Sequence, residues 1–173
     1  MDIELHGRLT GPRKEKWKAL LSRAGLEADE QVDSTVLVWE NDALIATASR
    51  MGNLLKCIAV DDLHQGEGLT ATLLTQLRQD AFAHGHSHLF LYTKPKNEFM
   101  FSSLFFYPIA KTDTVLLMEN KKGGWAAAQN LAMMLGMHAY FSEGAIIKQA
   151  GDIEPGLAES IAAKEQELAN SLN

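Results

Sequence analysis

The residues Gln65-Gly66-Glu67-Gly68-Leu69-Thr70 have types and spacing suited to holding an anion. Two glycines separated by one residue let the backbone turn tightly and leave N–H groups facing outward. A helix starting directly after them adds its first-turn amides and positive dipole end to the same space. Such a cradle grips a diphosphate without a basic side chain. Three ligand classes use one. A nucleoside triphosphate loop needs Gly-Lys-Ser/Thr, which is absent. A dinucleotide fingerprint is matched in form by Gly66-x-Gly68-x-x-Ala71, but it also needs an acidic residue about 20 positions later for the ribose. No Asp or Glu occurs from Ala81 through Asn97. An acyl-coenzyme A remains, its diphosphate on the loop and its pantetheine arm along a strand edge. A glycine turn that binds nothing carries the same local signature.

Other candidate groups are weaker. Cys57 is the single cysteine; it is either an acyl-accepting nucleophile or a thiol filling an apolar strand. His84, His86 and His88 straddle a helix end and a strand start, so they define no common face, and no metal site is expected. His64, Glu67 and Tyr92 flank the loop and its neighbouring strand, and nothing in the sequence selects one as acid or base. No catalytic residue is assigned. The basic run Arg13, Lys14, Lys16 and Lys18 contains Glu15 and reads as a solvated helix face.

The elements that must position the loop follow from hydrophobic period. Leu54–Val60 is an apolar strand closed by Asp61-Asp62, and it delivers the chain into the loop. Leu69, Leu73, Leu74, Leu77, Ala81 and Phe82 then keep a helical period, with Gly85 at C′. Before them come a short strand over Met1–Leu5, a helix over Arg13–Ala24 stopped by Gly25, and a hairpin of Thr35–Trp39 and Leu44–Ala48 around Asn41-Asp42. After them come an apolar-aromatic strand over His88–Tyr92, a short helix over Asn97–Leu104, and a strand pair, Phe105–Ala110 and Thr114–Met118. Trp125–Met137 and Gly156–Leu172 read as two further helices. Met133, Met134 and Met137 fill a core or a contact between copies of the chain.

Length and charge bound the answer. The chain has 173 residues, one domain plus an appendage at roughly 150 residues per domain. Hydrophobic residues make up 46% and charged residues 22%, with a formal charge of −6. That sign argues against a nucleic-acid or anionic-membrane binder. A lone cysteine excludes an internal disulfide framework. The N-terminus, Met1-Asp2-Ile3-Glu4, lacks the basic start of a secretory signal. The 20 uncharged residues from Gly123 to Ser142 include Gln129, Asn130, His138 and three glycines, a poor membrane span. A cytoplasmic protein is expected.

The loop and the long helix after it resemble the coenzyme A signature of the GNAT acetyltransferases, Q/R-x-x-G-x-G/A, and the order of elements agrees over residues 1 to 120. Within that superfamily, four blocks resemble the N-terminal domain of citrate lyase ligase: Leu55–Asp61, His88–Glu98, Phe106–Ala110 and Leu117–Asn120. The resemblance implies an α/β fold, a GNAT-like mixed central sheet flanked by helices over residues 1–120, with a helical C-terminal extension over 121–173. It implies an acyltransferase using acetyl-coenzyme A or another acyl-coenzyme A, and acting on a small amine or on a thiol of the acyl carrier subunit of citrate lyase. It implies coenzyme A contacts from Gln65, Gly66, Glu67, Gly68, Leu69 and Thr70, and from the backbone of Ile58 and Val60 where that strand and His88–Tyr92 splay apart. Asn97 matches an asparagine that meets the cofactor and is equally suited to cap a helix. A homo-oligomer through the C-terminal helices is a further expectation. The departures are specific. Thr70 stands at the last Gly/Ala of the signature. Phe101 falls where the superfamily tyrosine acts as acid, and Phe105 replaces the glycine of a Gly-Phe pair. The H-x-G-H motif of the ligase's nucleotidyltransferase domain is absent, His84-Gly85-His86 being one residue short. The alternatives are a non-catalytic module that binds acyl-coenzyme A or the carrier, and the acetyltransferase-like half of a split ligase.

Overall fold

The structure, a computed structural model, describes residues 1–125 and Ala163. Apart from Trp125 and Ala163, the expected helices at Trp125–Met137 and Gly156–Leu172, and the contact between copies assigned to them, lie outside the described residues. The chain divides into two compact units, Met1–Ser87 and His88 onward.

The first unit is built on four antiparallel strands in the order β1 (Asp2–His6), β2 (Ser34–Glu40), β3 (Ala43–Met51) and β4 (Leu54–Val60). Two-residue turns, Asn41-Asp42 and Gly52-Asn53, join β2 to β3 and β3 to β4. Asn41 takes φ +54° in the first, a conformation that asparagine adopts more readily than most residues. Helix α1 (Gly11–Arg23) buries Trp17, Leu20 and Leu21 in a cluster with Leu37, Leu44 and Ala59. Strand side chains alternate, so Val36 and Val38, both fully buried, turn to the opposite face. There α2 (Leu69–Ala83) buries Leu69, Leu73, Leu74, Leu77 and Ala81. Phe82, expected on that stripe, is instead 74% exposed, because the stripe has rotated past it by the last turn. Helix α2 ends in a Schellman arrangement, the His86 N–H bonding the Ala81 carbonyl and the Gly85 N–H the Phe82 carbonyl, with Gly85 at φ +84°.

One ion pair ties α2 to the sheet. Arg50 of β3 donates through Nε and Nη2 to Asp80 Oδ2 at 2.9 and 2.8 Å, and through Nη1 to the Gly52 carbonyl at 2.9 Å. Its side chain is 3% exposed and that of Asp80 10%.

The second unit holds β5 (Phe90–Thr93), a 3-10 turn (Pro95–Asn97), α3 (Glu98–Ser103), β6 (Tyr107–Lys111) and β7 (Leu116–Glu119), with the strands antiparallel in the order β5-β7-β6. Phe101 and Phe106 are buried edge to face, centroids 6.3 Å apart. Phe105 between α3 and β6 takes φ +67° and is exposed. The start of β5 shifts from His88 to Phe90. The buried Glu119 carboxylate accepts from His88 Nε2 at 2.8 Å and from the Trp125 N–H at 2.7 Å.

Candidate diphosphate loop

Strand β4 is irregular just before it delivers the chain to the loop. Lys56 pairs with Ser49 and Ala59 with Thr47, so Cys57 and Ile58 together face one residue, Ala48. This is a β-bulge, and Cys57 carries it at φ +54°. The bulge takes Cys57 and Ile58 out of register with β3. Ile58 and Val60 are both half-buried. The Val60 carbonyl accepts the Gln65 side-chain amide at 2.8 Å, which folds the chain back on the strand end.

A 3-10 turn, Asp62–His64, follows, and then the loop. Gly66 and Gly68 both adopt left-handed conformations, φ +80° and +77°, on either side of Glu67. This alternation turns successive N–H groups toward one side of the chain. Gly68 is also the N-cap of α2 and has no side chain with which to cap it, and no acidic residue occupies the first turn. Among the described residues, the backbone N–H groups of Gly66, Glu67, Gly68, Leu69, Thr70 and Ala71 have no hydrogen-bond acceptor. A Cβ added at either glycine would meet nothing within 4 Å. The loop is open backbone, exposed from Gln65 to Gly68. Leu69 points into the core and Thr70 is half-buried. No Lys or Arg occurs between Lys56 and Arg78, so the positive character here belongs to amides and the helix dipole.

Asn97 belongs to the second unit. It stands at the N-cap of α3 but makes no capping bond; its Nδ2 donates to Thr93 Oγ1 at 2.9 Å. The capping alternative is therefore not realised by the side chain, and the carboxamide oxygen is left over.

The acid–base candidates separate by environment. Phe101, at the tyrosine position, is 3% exposed and has no proton to give. Burial pushes the Tyr92 phenol well above its ordinary value, so it holds its proton at neutral pH. Burial likewise raises the Cys57 thiol, despite a backbone bond near Asp29 and the charge of Lys56, so it is mostly unionised. His64 is engaged by two carboxylates, an arrangement invisible in sequence because Glu40 lies 24 positions away. Among the described residues no three His, Cys, Asp or Glu side chains group to hold a metal ion, and no helix is long and apolar enough to cross a membrane. A cavity of about 520 Å³ opens elsewhere in the first unit, lined by Asp2, Glu4, Arg13, Lys16, Trp39 and Asp42 among others, and includes no loop residue.

An α/β fold in which a bulged β4 leads through an amide-rich glycine loop into α2 defines a class, and comparison with known sequences names it. The profile of the acetyltransferase (GNAT) family matches residues 4–101. The chain belongs to that family. It is 39% identical over 112 residues to citrate (pro-3S)-lyase ligase of Klebsiella pneumoniae, a match covering 64% of this chain and 33% of that protein. The chain thus spans about a third of the curated relative. Among solved structures it is similar to Escherichia coli ElaA, with TM-score 0.63, 14% identity, and coverage of 70% of this chain and 100% of that one. It is also similar to the PaiA N-acetyltransferase of Thermoplasma acidophilum in complex with coenzyme A, with TM-score 0.52, 15% identity, and coverage of 70% and 99%. These likenesses place the fold in the α/β acetyltransferase class that the sequence motif implies.

Proposed function

We propose that this chain is an acyl-coenzyme A-dependent acyltransferase domain that acts on a small amine or a carrier-protein thiol. The observation that carries the reading is the run of backbone N–H groups from Gly66 to Ala71, which have no acceptor among the described residues and lie in the exposed loop and first turn of a 15-residue helix. A diphosphate satisfies such donors, and no side-chain charge is needed. The coenzyme A complex of the structurally similar PaiA N-acetyltransferase supports a coenzyme A ligand here. The pantetheine arm is assigned to the end of β4, where the bulge at Cys57 and Ile58 breaks register with β3 and Ile58 and Val60 are half-buried. In the reaction the acceptor nitrogen or sulfur bonds to the thioester carbon. The bond from that carbon to the coenzyme A sulfur breaks, and the leaving thiolate takes up the proton that the acceptor releases. With Phe101 in the tyrosine position, catalysis rests on positioning and on a strand amide polarising the carbonyl.

Isothermal titration with acetyl-coenzyme A, joined to a thiol-release assay over an amine panel and a carrier-protein thiol, tests this. Wild type binds and turns over, and Gly68→Glu, which sets a carboxylate against the diphosphate, loses binding by more than about tenfold. Absence of binding by any acyl-coenzyme A overturns the reading. A second reading, a non-catalytic module that binds acyl-coenzyme A or the carrier, is favoured by the buried Phe101; binding without turnover on any acceptor selects it. The ATP-dependent ligase reaction of the longer relatives is proposed only in company with a nucleotidyltransferase domain, because these residues contain no H-x-G-H.

A further inference from the structure

The turn that enters the loop is fastened from two sides by one imidazole. His64 closes the 3-10 turn, its N–H bonding the Asp61 carbonyl at 2.9 Å. Its Nδ1 lies 3.3 Å from Asp61 Oδ2 and its Nε2 lies 3.0 Å from Glu40 Oε2. Glu40 is the last residue of β2. Asp61 directly follows β4 and donates its N–H to the Ile45 carbonyl of β3 at 2.7 Å. The ring, 17% exposed, therefore ties the turn that leads into Gln65 to the end of β2 and to the residue after β4.

A neutral imidazole has one N–H, so with a carboxylate at each nitrogen one contact sets a lone pair against an anion. Only the imidazolium satisfies both carboxylates, and each bond is then charge-assisted. Partial desolvation lowers the affinity of the ring for its second proton, but the bonds to Asp61 and Glu40 and the charge of Glu67 outweigh it and hold His64 above its ordinary value. The charged groups facing this site are Glu40 from β2, Asp61 after β4, Glu67 from the loop, and Arg23 of α1, whose Nη2 is 4.0 Å from Asp61 Oδ1.

We propose that His64 is a positioning residue for the diphosphate loop: carrying both ring protons, it staples the entering turn to the ends of β2 and β4, and the loop grips a diphosphate most tightly in that state. The inference rests on the reading of the loop as a coenzyme A site and adds what sets the loop's geometry. Below the raised titration point both bonds are made. As pH rises through it one is lost, the turn loosens and affinity falls.

The test has two arms. Coenzyme A is titrated calorimetrically from about pH 5.5 to about 8.5, across the histidine range, into wild type, His64→Asn and Glu40→Gln. Coenzyme A's own phosphate titrates too, so the quantity read is the ratio of wild type to variant at each pH. Wild type should exceed His64→Asn by about tenfold at the acid end, the scale of one charged hydrogen bond, with the gap narrowing to within about threefold at the alkaline end. Glu40→Gln, at a half-exposed hairpin end, should lose part of the same step. In the second arm, NMR of the ligand-free protein follows the Gly66 and Gly68 amide resonances, which should move with the His64 ring and share its midpoint. Equal affinities and parallel pH curves for wild type and both variants overturn the proposal. If coenzyme A binds at no pH, the reading of the loop falls instead, and the amide titration alone decides the staple: a shared midpoint upholds it, and amides indifferent to the His64 titration overturn it.

Discussion

Gly66 and Gly68 sit in left-handed backbone with empty space around each missing Cβ. An alanine there meets no clash, and its cost is the conformational penalty alone, about 1 kcal/mol. Gly66→Ala should therefore lower the melting temperature of the unliganded protein by only a few degrees. It should weaken coenzyme A binding by a larger factor than that loss implies, because the N–H directions change with the backbone. Paired melting and titration curves check both numbers, and proportionate losses would show the loop to be scaffolding. The turn at these two glycines was legible from residue type alone: their spacing predicted it, and both take the left-handed conformation it needs. The pairing of His64 was not legible, since it depends on strand register bringing Glu40 alongside, and register is not written in local sequence.

Among the elements, α2 matters most to the proposed site, because its N-terminus is half of the proposed cradle. Arg50 and Asp80 fix its pitch against β3. Burying two charges is costly, and removing one partner strands the other, so Asp80→Asn should destabilise the protein by about 3 kcal/mol while leaving the loop sequence untouched. Replacing both with apolar residues of similar size, Arg50→Met with Asp80→Leu, should recover most of that loss; chemical denaturation of the three variants measures it. Burial alone would raise the Asp80 pKa, but the bonds from Ser34 and Arg50 and the charges of Arg50 and His84 outweigh it, so the net shift is downward from 3.8. The folded state thus holds its proton less firmly than the unfolded chain. The contribution is complete above that ordinary value and disappears as pH falls below it. Strand β4 was found at its full length, Leu54–Val60, because apolar runs bounded by Asp-Asp leave little choice. Its bulge was not found, since Lys56-Cys57-Ile58 contains neither the glycine nor the proline that marks such a kink. Phe82 was misplaced because it lies off the face that Leu69, Leu73, Leu77 and Ala81 share.

For the molecule as a whole, a charge of −6 and a loop free of Lys and Arg set an unusual electrostatic expectation for a ligand rich in phosphate. Proteins that hold phosphates with cationic side chains lose affinity steeply as salt rises. In the proposed mode of binding the long-range field is repulsive and the attraction comes from short-range dipoles, which salt screens far less. Coenzyme A affinity should change by less than about threefold between roughly 0.05 and 0.5 M sodium chloride; a fall of an order of magnitude would point to side-chain cations elsewhere as the main grip. The left-handed kink at Cys57 has a last consequence, for how this sequence can drift. An ordinary strand interior favours valine and isoleucine and shuns glycine and asparagine. At position 57 that ranking should invert, because branched residues resist the left-handed conformation that glycine and asparagine accept. Saturation mutagenesis at this codon under selection for folded protein would display a loop's tolerance profile in the middle of a strand.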